Sequence, residues 1–423
     1  MREMKDSGIE WIGAIPQDWQ LSKIGSLYTQ RNEKVSDKDY QPLSVTMQGI
    51  LPQLATAAKT DDGDNRKLVR VGDFAINSRS DRRGSCGISP LDGSVSLINI
   101  ILTPRTAMHP GYYNWLFHTT LFADEFYKWG HGIVADLWTT RWQEMKSITV
   151  PVPEYAEQER IAAFLDAECA EIDTVLEKTR ASIEEYKKLK QAVITQAVTK
   201  GIRGDRPMKD SGIEWIGEIP AEWEIRKIFR AINKVGDIDH YMPDSVDDGI
   251  PYLMTGDLQE KLSDVNLKRC KKVSFQDYEM LSSKIRVSKG DVIFARYATI
   301  GTVCFVDTED NILVSYACLI IKPNSSLLYG EFLFYYLKST AFLEEIKQYI
   351  KANTQANVGL DSVSKAKIAL PSVHEQQKIV EYLRDKCKKI DALIAKKQQY
   401  LTEIENYKKS LIYEYVTGKK EVV

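Results

Sequence analysis

Two long stretches of the chain place apolar residues at alternating three- and four-residue spacing, as one face of a helix does. They lie within residues 154–200 and 372–423. Five heptads of this spacing favour coiled-coil helices, whose apolar seams are roughly 55 Å long at the helical rise per residue. The simplest partner of each helix is the other one. The seam positions are Leu165, Cys169, Ile172, Leu176, Ile183, Leu383, Cys387, Ile390, Ile394, Leu401 and Ile404.

The remainder of the chain shows shorter patterns, which occur in the same order twice. A Gly-Asp pair, Gly72-Asp73 or Gly290-Asp291, precedes a short apolar run typical of a buried strand. A longer strand and an aromatic-rich helix follow in each case. The predicted strands are residues 95–102 and 312–321, and the predicted helices are residues 112–129 and 329–349. Mixed strands and helices predict an α+β fold for both segments.

The same order reflects a sequence repeat. The sequence Met-Lys-Asp-Ser-Gly-Ile-Glu-Trp-Ile-Gly stands at residues 4–13 and again at 208–217. A proline-ended strand followed by a Glu-Gln pair also occurs twice, at Glu157-Gln158 and at Glu375-Gln376. The chain is therefore two copies of one unit. We expect globular domains at 1–153 and 208–371, long helices at 154–200 and 372–423, and a linker at 201–207.

Composition narrows the class of protein. The 423 residues are 43% apolar and 27% charged, with a net charge of −2, so the chain has no global excess of charge for gripping a polyanion. A local basic site is still compatible with this balance. The six cysteines are scattered, and neither a signal peptide nor an apolar membrane span is evident. We therefore expect reduced thiols and a cytoplasmic location.

Motifs for catalysis are missing from the sequence. It contains no Gly-x-x-x-x-Gly-Lys-Ser/Thr loop for ATP, no Gly-x-Gly-x-x-Gly after a strand, and no Asn/Asp-Pro-Pro-Phe/Tyr segment of adenine methyltransferases. The five histidines lack metal-ligand spacing. We predict that this chain is not an enzyme and holds neither a cofactor nor a metal.

The two repeated motifs, in this order around two diverged domains, resemble the specificity subunit of type I restriction–modification systems along the whole chain. The resemblance implies two similar target recognition domains separated by two antiparallel coiled-coil helices, with pseudo-twofold repeat symmetry. Each domain would read one half of an asymmetric, bipartite duplex DNA target. Two methyltransferase subunits and two restriction subunits would join this scaffold. S-adenosylmethionine, ATP and Mg would be used by those partners, for adenine-N6 methylation or ATP-dependent cleavage.

Candidate DNA-contacting residues follow from the polar loops at strand ends, because arginine, amide and hydroxyl side chains read base edges. The alternative is that the arginines only grip phosphate, or pair with Asp73 and Asp81. In the first domain the candidates are Thr46, Gln48, Arg79, Ser80, Arg82, Arg83, Thr139, Thr140 and Arg141. In the second domain they are Thr255, Asp257, Arg296, Tyr297, Thr299, Asn353, Gln355 and Asn357.

Residues shared by both halves cannot discriminate between two different DNA sequences. We therefore expect the repeated tryptophans to dock each domain against an end of the coiled coil. They are Trp11, Trp19, Trp215 and Trp223. A rival interpretation of the whole chain is a non-catalytic coiled-coil adaptor with two protein-binding domains. Salt-dependent binding to duplex DNA separates the two hypotheses.

Overall fold

The computed structural model describes residues 2–54, 63–132, 138–297, 300–349 and 358–422. Its contacts divide the chain into two compact units. The first unit comprises residues 1–180 and 399–423, and the second comprises residues 181–398. Each unit therefore combines an α+β part with a portion of each long helix.

The α+β part of the first unit is made of short strands and helices. In chain order these are β1 (Met4–Asp6), β2 (Ala14–Pro16), β3 (Gln20–Lys23), α1 (Ile24–Leu27), β4 (Tyr28–Arg31), β5 (Lys34–Val35), β6 (Leu43–Thr46), β7 (Gly49–Pro52), β8 (Arg66–Val69), β9 (Phe74–Asn77), β10 (Cys86–Ile88), β11 (Gly93–Val95), β12 (Asn99–Pro104), α2 (Pro110–Phe117), α3 (Thr120–Lys128), α4 (Trp142–Met145) and β13 (Thr149–Val152). The long helix α5 (Tyr155–Lys200) follows. The main sheet has the antiparallel order β10-β9-β12-β4. Aromatic side chains of α2 pack on it, with the Phe117 ring 4.5 Å from that of Phe74.

The second unit repeats this arrangement. Its elements are β14 (Met208–Asp210), β15 (Glu218–Pro220), β16 (Glu224–Lys227), β17 (Ile232–Gly236), β18 (Ile250–Leu253), β19 (Lys271–Val273), α6 (Phe275–Ser282), β20 (Val292–Ala295), β21 (Val303–Phe305), β22 (Leu313–Val314), β23 (Cys318–Pro323), α7 (Gly330–Lys338), α8 (Thr340–Lys347), α9 (Leu360–Lys365), β24 (Lys367–Leu370) and α10 (Val373–Val416). The main sheet β21-β20-β23-β17 matches that of the first unit strand for strand. The smaller sheets differ, because β18 pairs with β22 in parallel, whereas β11-β8-β5 is antiparallel. The α+β fold and the internal repeat predicted from the sequence are confirmed.

The two long helices pair antiparallel within each unit. Ion pairs between the helices show this direction, because residues later in α5 pair with residues earlier in α10. They are Asp173–Lys408 and Arg180–Glu405 in the first unit and Lys190–Asp391 in the second. The buried seam positions are Leu165, Cys169, Leu176, Ile183, Leu383, Cys387 and Ile390, and the half-buried ones are Ile172, Ile394, Leu401 and Ile404. All six cysteines are free thiols.

Four predicted elements, two helices and two strands, are each divided in the structure. Each aromatic-rich helix is two helices, because Thr119 and Ser339 start a new one: their hydroxyls accept hydrogen bonds from the backbone N–H groups of Phe122 and Phe342. Each predicted long strand is also interrupted, leaving β11 and β12 in one unit and β22 and β23 in the other. Apolar residues continue through both strand breaks, so the hydrophobic pattern alone does not reveal those, whereas the helix breaks coincide with the polar residues Thr119 and Ser339.

Candidate nucleic-acid interface

In the first unit, two predicted loops meet beyond the ends of β9 and β12. Arg79 forms an isolated antiparallel bridge with Thr139, and the Ser80 N–H donates to the carbonyl of Trp138 at 3.0 Å. Arg79 and Thr139 are 60 positions apart in sequence, yet their loops form one surface. Two separate sequence candidates are therefore a single site, which we call the strand-end site.

A cavity of about 370 Å³ lies at this strand-end site. Its polar lining comes from Gln30, Lys67, Ser78, Arg79, Thr139, Thr140 and Arg141. The Lys67 ammonium donates to the Asn99 carbonyl at 2.6 Å, and burial lowers its pKa below the usual range. The arrangement presents a concave, cationic surface with amide and hydroxyl groups, which suits both phosphate and base edges.

The other arginines of this loop are engaged to different degrees. Arg83 forms an ion pair with Asp124 and lies over the Tyr127 ring, 5.9 Å from its centroid. Arg82 is exposed, 3.7 Å from Asp81. Asp73 does not pair with either, because its carboxylate accepts from Arg31 at 2.8 Å. The expected Asp81 pairing therefore applies to Arg82, and Asp73 belongs to the sheet.

Thr140 does not fit a DNA contact. Its side chain is fully buried, and its hydroxyl donates to the Phe126 carbonyl at 2.8 Å. Thr46 and Gln48 lie on the separate β6–β7 hairpin, where the Thr46 hydroxyl donates to the Gly49 carbonyl and Gln48 is exposed. Of these three residues, only Gln48 presents a free side chain on the surface.

In the second unit, Arg296 follows β20 at the position that Ser78 holds after β9. The Arg296 N–H donates to the carbonyl of Ala317, the residue before β23. In the same way, the Ser78 N–H donates to the carbonyl of Ile98, the residue before β12. Arg296 is only 9% exposed, and its Nη2 group lies 3.0 Å from Asp237 Oδ2. Its guanidinium stacks on Tyr297, 4.9 Å from the ring centroid. The predicted direct DNA contact by Arg296 is therefore hard to reconcile with its burial.

The other second-unit candidates lie partly outside the described residues. Thr255 and Asp257 form a 3-10 turn, in which the Asp257 carboxylate accepts from the Met254 N–H at 2.8 Å. Asp257 thus caps its own turn. Thr299, Asn353, Gln355 and Asn357 fall outside the described part of the chain.

Sequence reasoning missed Asp237, His240 and Tyr316, which surround Arg296. His240 Nε2 is 3.3 Å from Arg296 Nη2, and its ring stacks on Tyr316 with centroids 4.6 Å apart. These residues come from two separate segments, residues 237–240 and the segment around Tyr316, with no spacing motif to connect them. The only sequence signal is the polar and aromatic composition of the segment after β17.

Two of the four repeated tryptophans, Trp19 and Trp223, contact the first turns of the long helices. Trp19 Nε1 donates to Glu157 at 2.9 Å, and Trp223 Nε1 donates to Glu375 at 3.0 Å. Each carboxylate also binds an arginine: Glu157 binds Arg2, and Glu375 binds Arg206. These two arginines are 204 positions apart, the spacing of the repeat, and were not among the residues expected from the sequence. We call each of these Trp–Glu–Arg groups a docking node.

The neighbouring glutamines complete the same joint. Gln158 accepts from the His109 N–H at 2.9 Å, and Gln376 accepts from the Tyr329 N–H at 2.7 Å. These two contacts hold the starts of α2 and α7 against α5 and α10. Trp11 is buried beside Phe122, with ring centroids 5.9 Å apart, whereas Trp215 is half-buried. Trp19 and Trp223, and Gln158 and Gln376, therefore have equivalent partners in the two units, whereas Trp11 and Trp215 differ in burial.

The described residues offer neither a metal site nor a membrane span. They contain no cluster of three or more histidine, cysteine or acidic side chains arranged to hold a metal ion. None of the described helices is long and apolar enough to cross a membrane.

The fold and these sites define the class: a duplicated α+β protein with antiparallel helix pairs and, in its first unit, a polar strand-end site. Residues 220–406 match the type I restriction modification DNA specificity domain. Over almost its whole length, the chain is similar to specificity subunits of type I restriction–modification systems.

Similarity to individual proteins extends over most of the chain. It is 24% identical to the MjaVIII type I restriction enzyme specificity subunit of Methanocaldococcus jannaschii, over 96% of this chain and 94% of that protein. It is 23% identical to the Escherichia coli EcoBI specificity subunit, over 65% of this chain and 59% of that protein. A chain from a structural study of type I R-M complex assembly and conformational transition aligns with a TM-score of 0.73 at 14% identity. That alignment covers 96% of this chain and 99% of the other and shows the shared fold.

Proposed function

We propose that each unit reads a different part of a split duplex DNA target. The supporting observation is that Ser78 and Arg296 occupy the same backbone position, so the residues that follow them, half-buried Arg79 and Tyr297, present different side chains at equivalent places. A shared frame with different polar chemistry suits two different sequences, and hence an asymmetric target.

In the first unit, we infer that Arg79 and Arg141 make the principal contacts, because both line the cavity of the strand-end site. Thr139 is held by its bridge with Arg79, and Ser80 by its N–H bond to the Trp138 carbonyl, and both would add contacts. Arg82, Arg83 and Gln48 are exposed and suit phosphate or groove contacts at its margin. Thr46 and Thr140 are left out because their hydroxyls serve the fold.

In the second unit, Thr255 and Tyr297 remain candidates, being half-buried near strand ends. Asp257 is a weaker one, since its carboxylate caps a turn and would repel phosphate. Thr299, Asn353, Gln355 and Asn357 remain predictions from the sequence.

We further propose that the chain performs no catalytic step and acts as a scaffold in the cytoplasm. Two methyltransferase and two restriction subunits would assemble on it, and would use S-adenosylmethionine, ATP and Mg. The recognition domains would comprise residues 1–153 and 208–371. The docking nodes support the scaffold role, because they tie each domain to a helix start through half-buried hydrogen bonds to a carboxylate.

The test is methyl transfer by the full chain reconstituted with its methyltransferase subunits. Arg79→Ala should reduce discrimination at one base pair by about 5- to 150-fold, the range for a bidentate arginine contact. If Arg79 instead binds phosphate, transfer weakens on all sequences and the salt dependence becomes shallower. Arg160→Ala, which removes an exposed arginine on α5, is the matched control. Equal behaviour of Arg79→Ala and Arg160→Ala would contradict the assignment.

A further inference from the structure

His240 has a defined protonation pattern because of its neighbour. A guanidinium can only donate hydrogen bonds, so the contact of Arg296 Nη2 at 3.3 Å makes His240 Nε2 the acceptor. His240 is then a neutral imidazole with its hydrogen on Nδ1. Arg296 itself is anchored by Asp237 at 3.0 Å and by the Tyr297 hydroxyl at 3.2 Å.

The opposite edge of the His240 ring is available to a ligand. The residue is exposed, and Nδ1 has no hydrogen-bond partner within the described residues. Stacking on Tyr316, with ring planes 24° apart, restricts the orientation of the ring. A single N–H donor is thereby held in place on the surface.

The segment that carries His240 is anchored at its start and exposed at its tip. Asp237 forms ion pairs with Arg296 and with Lys284, the latter at 3.2 Å. Tyr241 and Met242 directly follow His240 and are 45% and 49% exposed. Large apolar side chains beside an oriented donor are suited to contacts with base edges, including the thymine methyl group.

We propose that His240 is a specificity-determining residue of the second unit and that Arg296 is a positioning residue behind it. The His240 Nδ1–H donates to an acceptor on a base edge, such as a purine N7. A base edge is favoured over phosphate because the imidazole is neutral. The proposal rests on the DNA-reading function proposed above.

This arrangement is not found among the described residues of the first unit, which limits the expected effect to one part of the target. Ser78 stands where Arg296 would be, and its hydroxyl donates to the Ile98 carbonyl. A change at His240 should therefore affect base pairs read by the second unit alone.

The experiment uses the full chain reconstituted with its methyltransferase subunits. The split target is first established with the unchanged chain, and each of its base pairs is then replaced in turn. The measured quantity is the ratio of kcat/KM for methyl transfer on the target to that on each replaced duplex. The variants are His240→Ala, Arg296→Lys and the double variant, with His374→Ala on the exposed first turn of α10 as control.

His240→Ala should lower discrimination at one base pair by about 5- to 30-fold, the effect of one hydrogen bond. Arg296→Lys should lower it at the same pair, and the double variant should resemble His240→Ala, because both changes remove one contact. If Arg296 had only a structural role, the double variant would instead lose discrimination by the product of the two single-variant effects. His374→Ala should leave every ratio unchanged.

Unchanged discrimination at all base pairs in active His240→Ala complexes would overturn the proposal, as would multiplicative effects in the double variant. His240→Gln provides a second check: an amide that restores a donor should recover part of the lost ratio. If the unchanged chain directs no sequence-specific methylation, the DNA-reading function itself fails. That outcome is distinct from the failure of His240 alone.

Discussion

The docking node of the second unit should contribute measurably to stability, and Glu375→Ala tests this. The Glu375 carboxylate accepts from Trp223 Nε1 at 3.0 Å and from Arg206 Nη1 at 2.6 Å. Trp223 is 1% exposed, and the Arg206 side chain is 8% exposed. Removing the carboxylate therefore leaves two buried donors without their main acceptor.

The expected loss follows from the cost of an unpaired buried charge. Removing one partner of a buried ion pair typically costs about 3–5 kcal/mol. Arg206 retains Glu222 at 3.0 Å, which reduces that penalty. We expect Glu375→Ala to lower the free energy of unfolding of the second unit by about 2–4 kcal/mol, a change in its opening equilibrium of roughly 30- to 700-fold.

Hydrogen exchange of the full chain, followed by mass spectrometry, is the suitable assay, because it reports the opening of each unit separately. Glu375→Ala should accelerate exchange of the most protected amides in the second unit. Glu157→Ala should do so in the first unit and by less, because the Arg2 side chain is 19% exposed. Each variant thereby serves as a control for the other.

Glu381→Ala, at an exposed position of α10, is the matched control and should change stability by less than about 0.5 kcal/mol. The reasoning is refuted if Glu375→Ala is no more destabilising than Glu381→Ala. It is also refuted if Glu157→Ala and Glu375→Ala accelerate exchange in the same unit.

Three further predictions concern the helices and the thiols. Burial opposes ionisation of Glu260, but the ammonium groups of Lys338 and Lys190 lower its pKa overall. The Glu260 carboxylate therefore stabilises the fold at a pH above its pKa in the unfolded chain, and this contribution is lost as the pH falls through its lower pKa in the folded chain. In Glu260→Gln, the free energy of unfolding measured with urea should accordingly fall less steeply as the pH is lowered. Lys408→Met removes the ion pair with Asp173 and should cost up to about 1 kcal/mol, a difference that high salt abolishes. Burial raises the pKa of the Cys169 and Cys387 thiols to about 11, so iodoacetamide at about pH 8 should label half-buried Cys270 first, as peptide mass mapping would show.

The architecture could be predicted from the sequence because each predicted element occurs in both copies of the repeat, so that one copy supports the assignment in the other. The seam from Leu165 onwards has the helical period over several heptads, and α5 begins at Tyr155, one residue from the predicted start. Identical residues around Trp19 and Trp223 indicated a shared structural task, and both indoles do contact equivalent glutamates. Local periodicity and internal identity are properties of the sequence itself.

The candidate sites could be predicted only in part, because they depend on contacts between distant segments. His240 and Arg296 are 56 positions apart, and no spacing rule connects them. Thr140 looked accessible in a polar loop, yet its hydroxyl is used inside the fold. Burial and hydrogen-bond partners decide whether a polar side chain is available to DNA, and neither can be read from loop composition.

The central claim is that one chain directs methylation to a split, asymmetric target, with each unit responsible for one part. The most direct measurement is single-base mapping of N6-methyladenine in a host carrying this chain with its methyltransferase subunits, compared with the same host without the chain and with the Arg79→Ala variant. The account predicts a split motif that disappears without the chain and becomes degenerate in one part only when Arg79 is replaced. Methylation that is independent of the chain, or a variant that relaxes both parts equally, would contradict it.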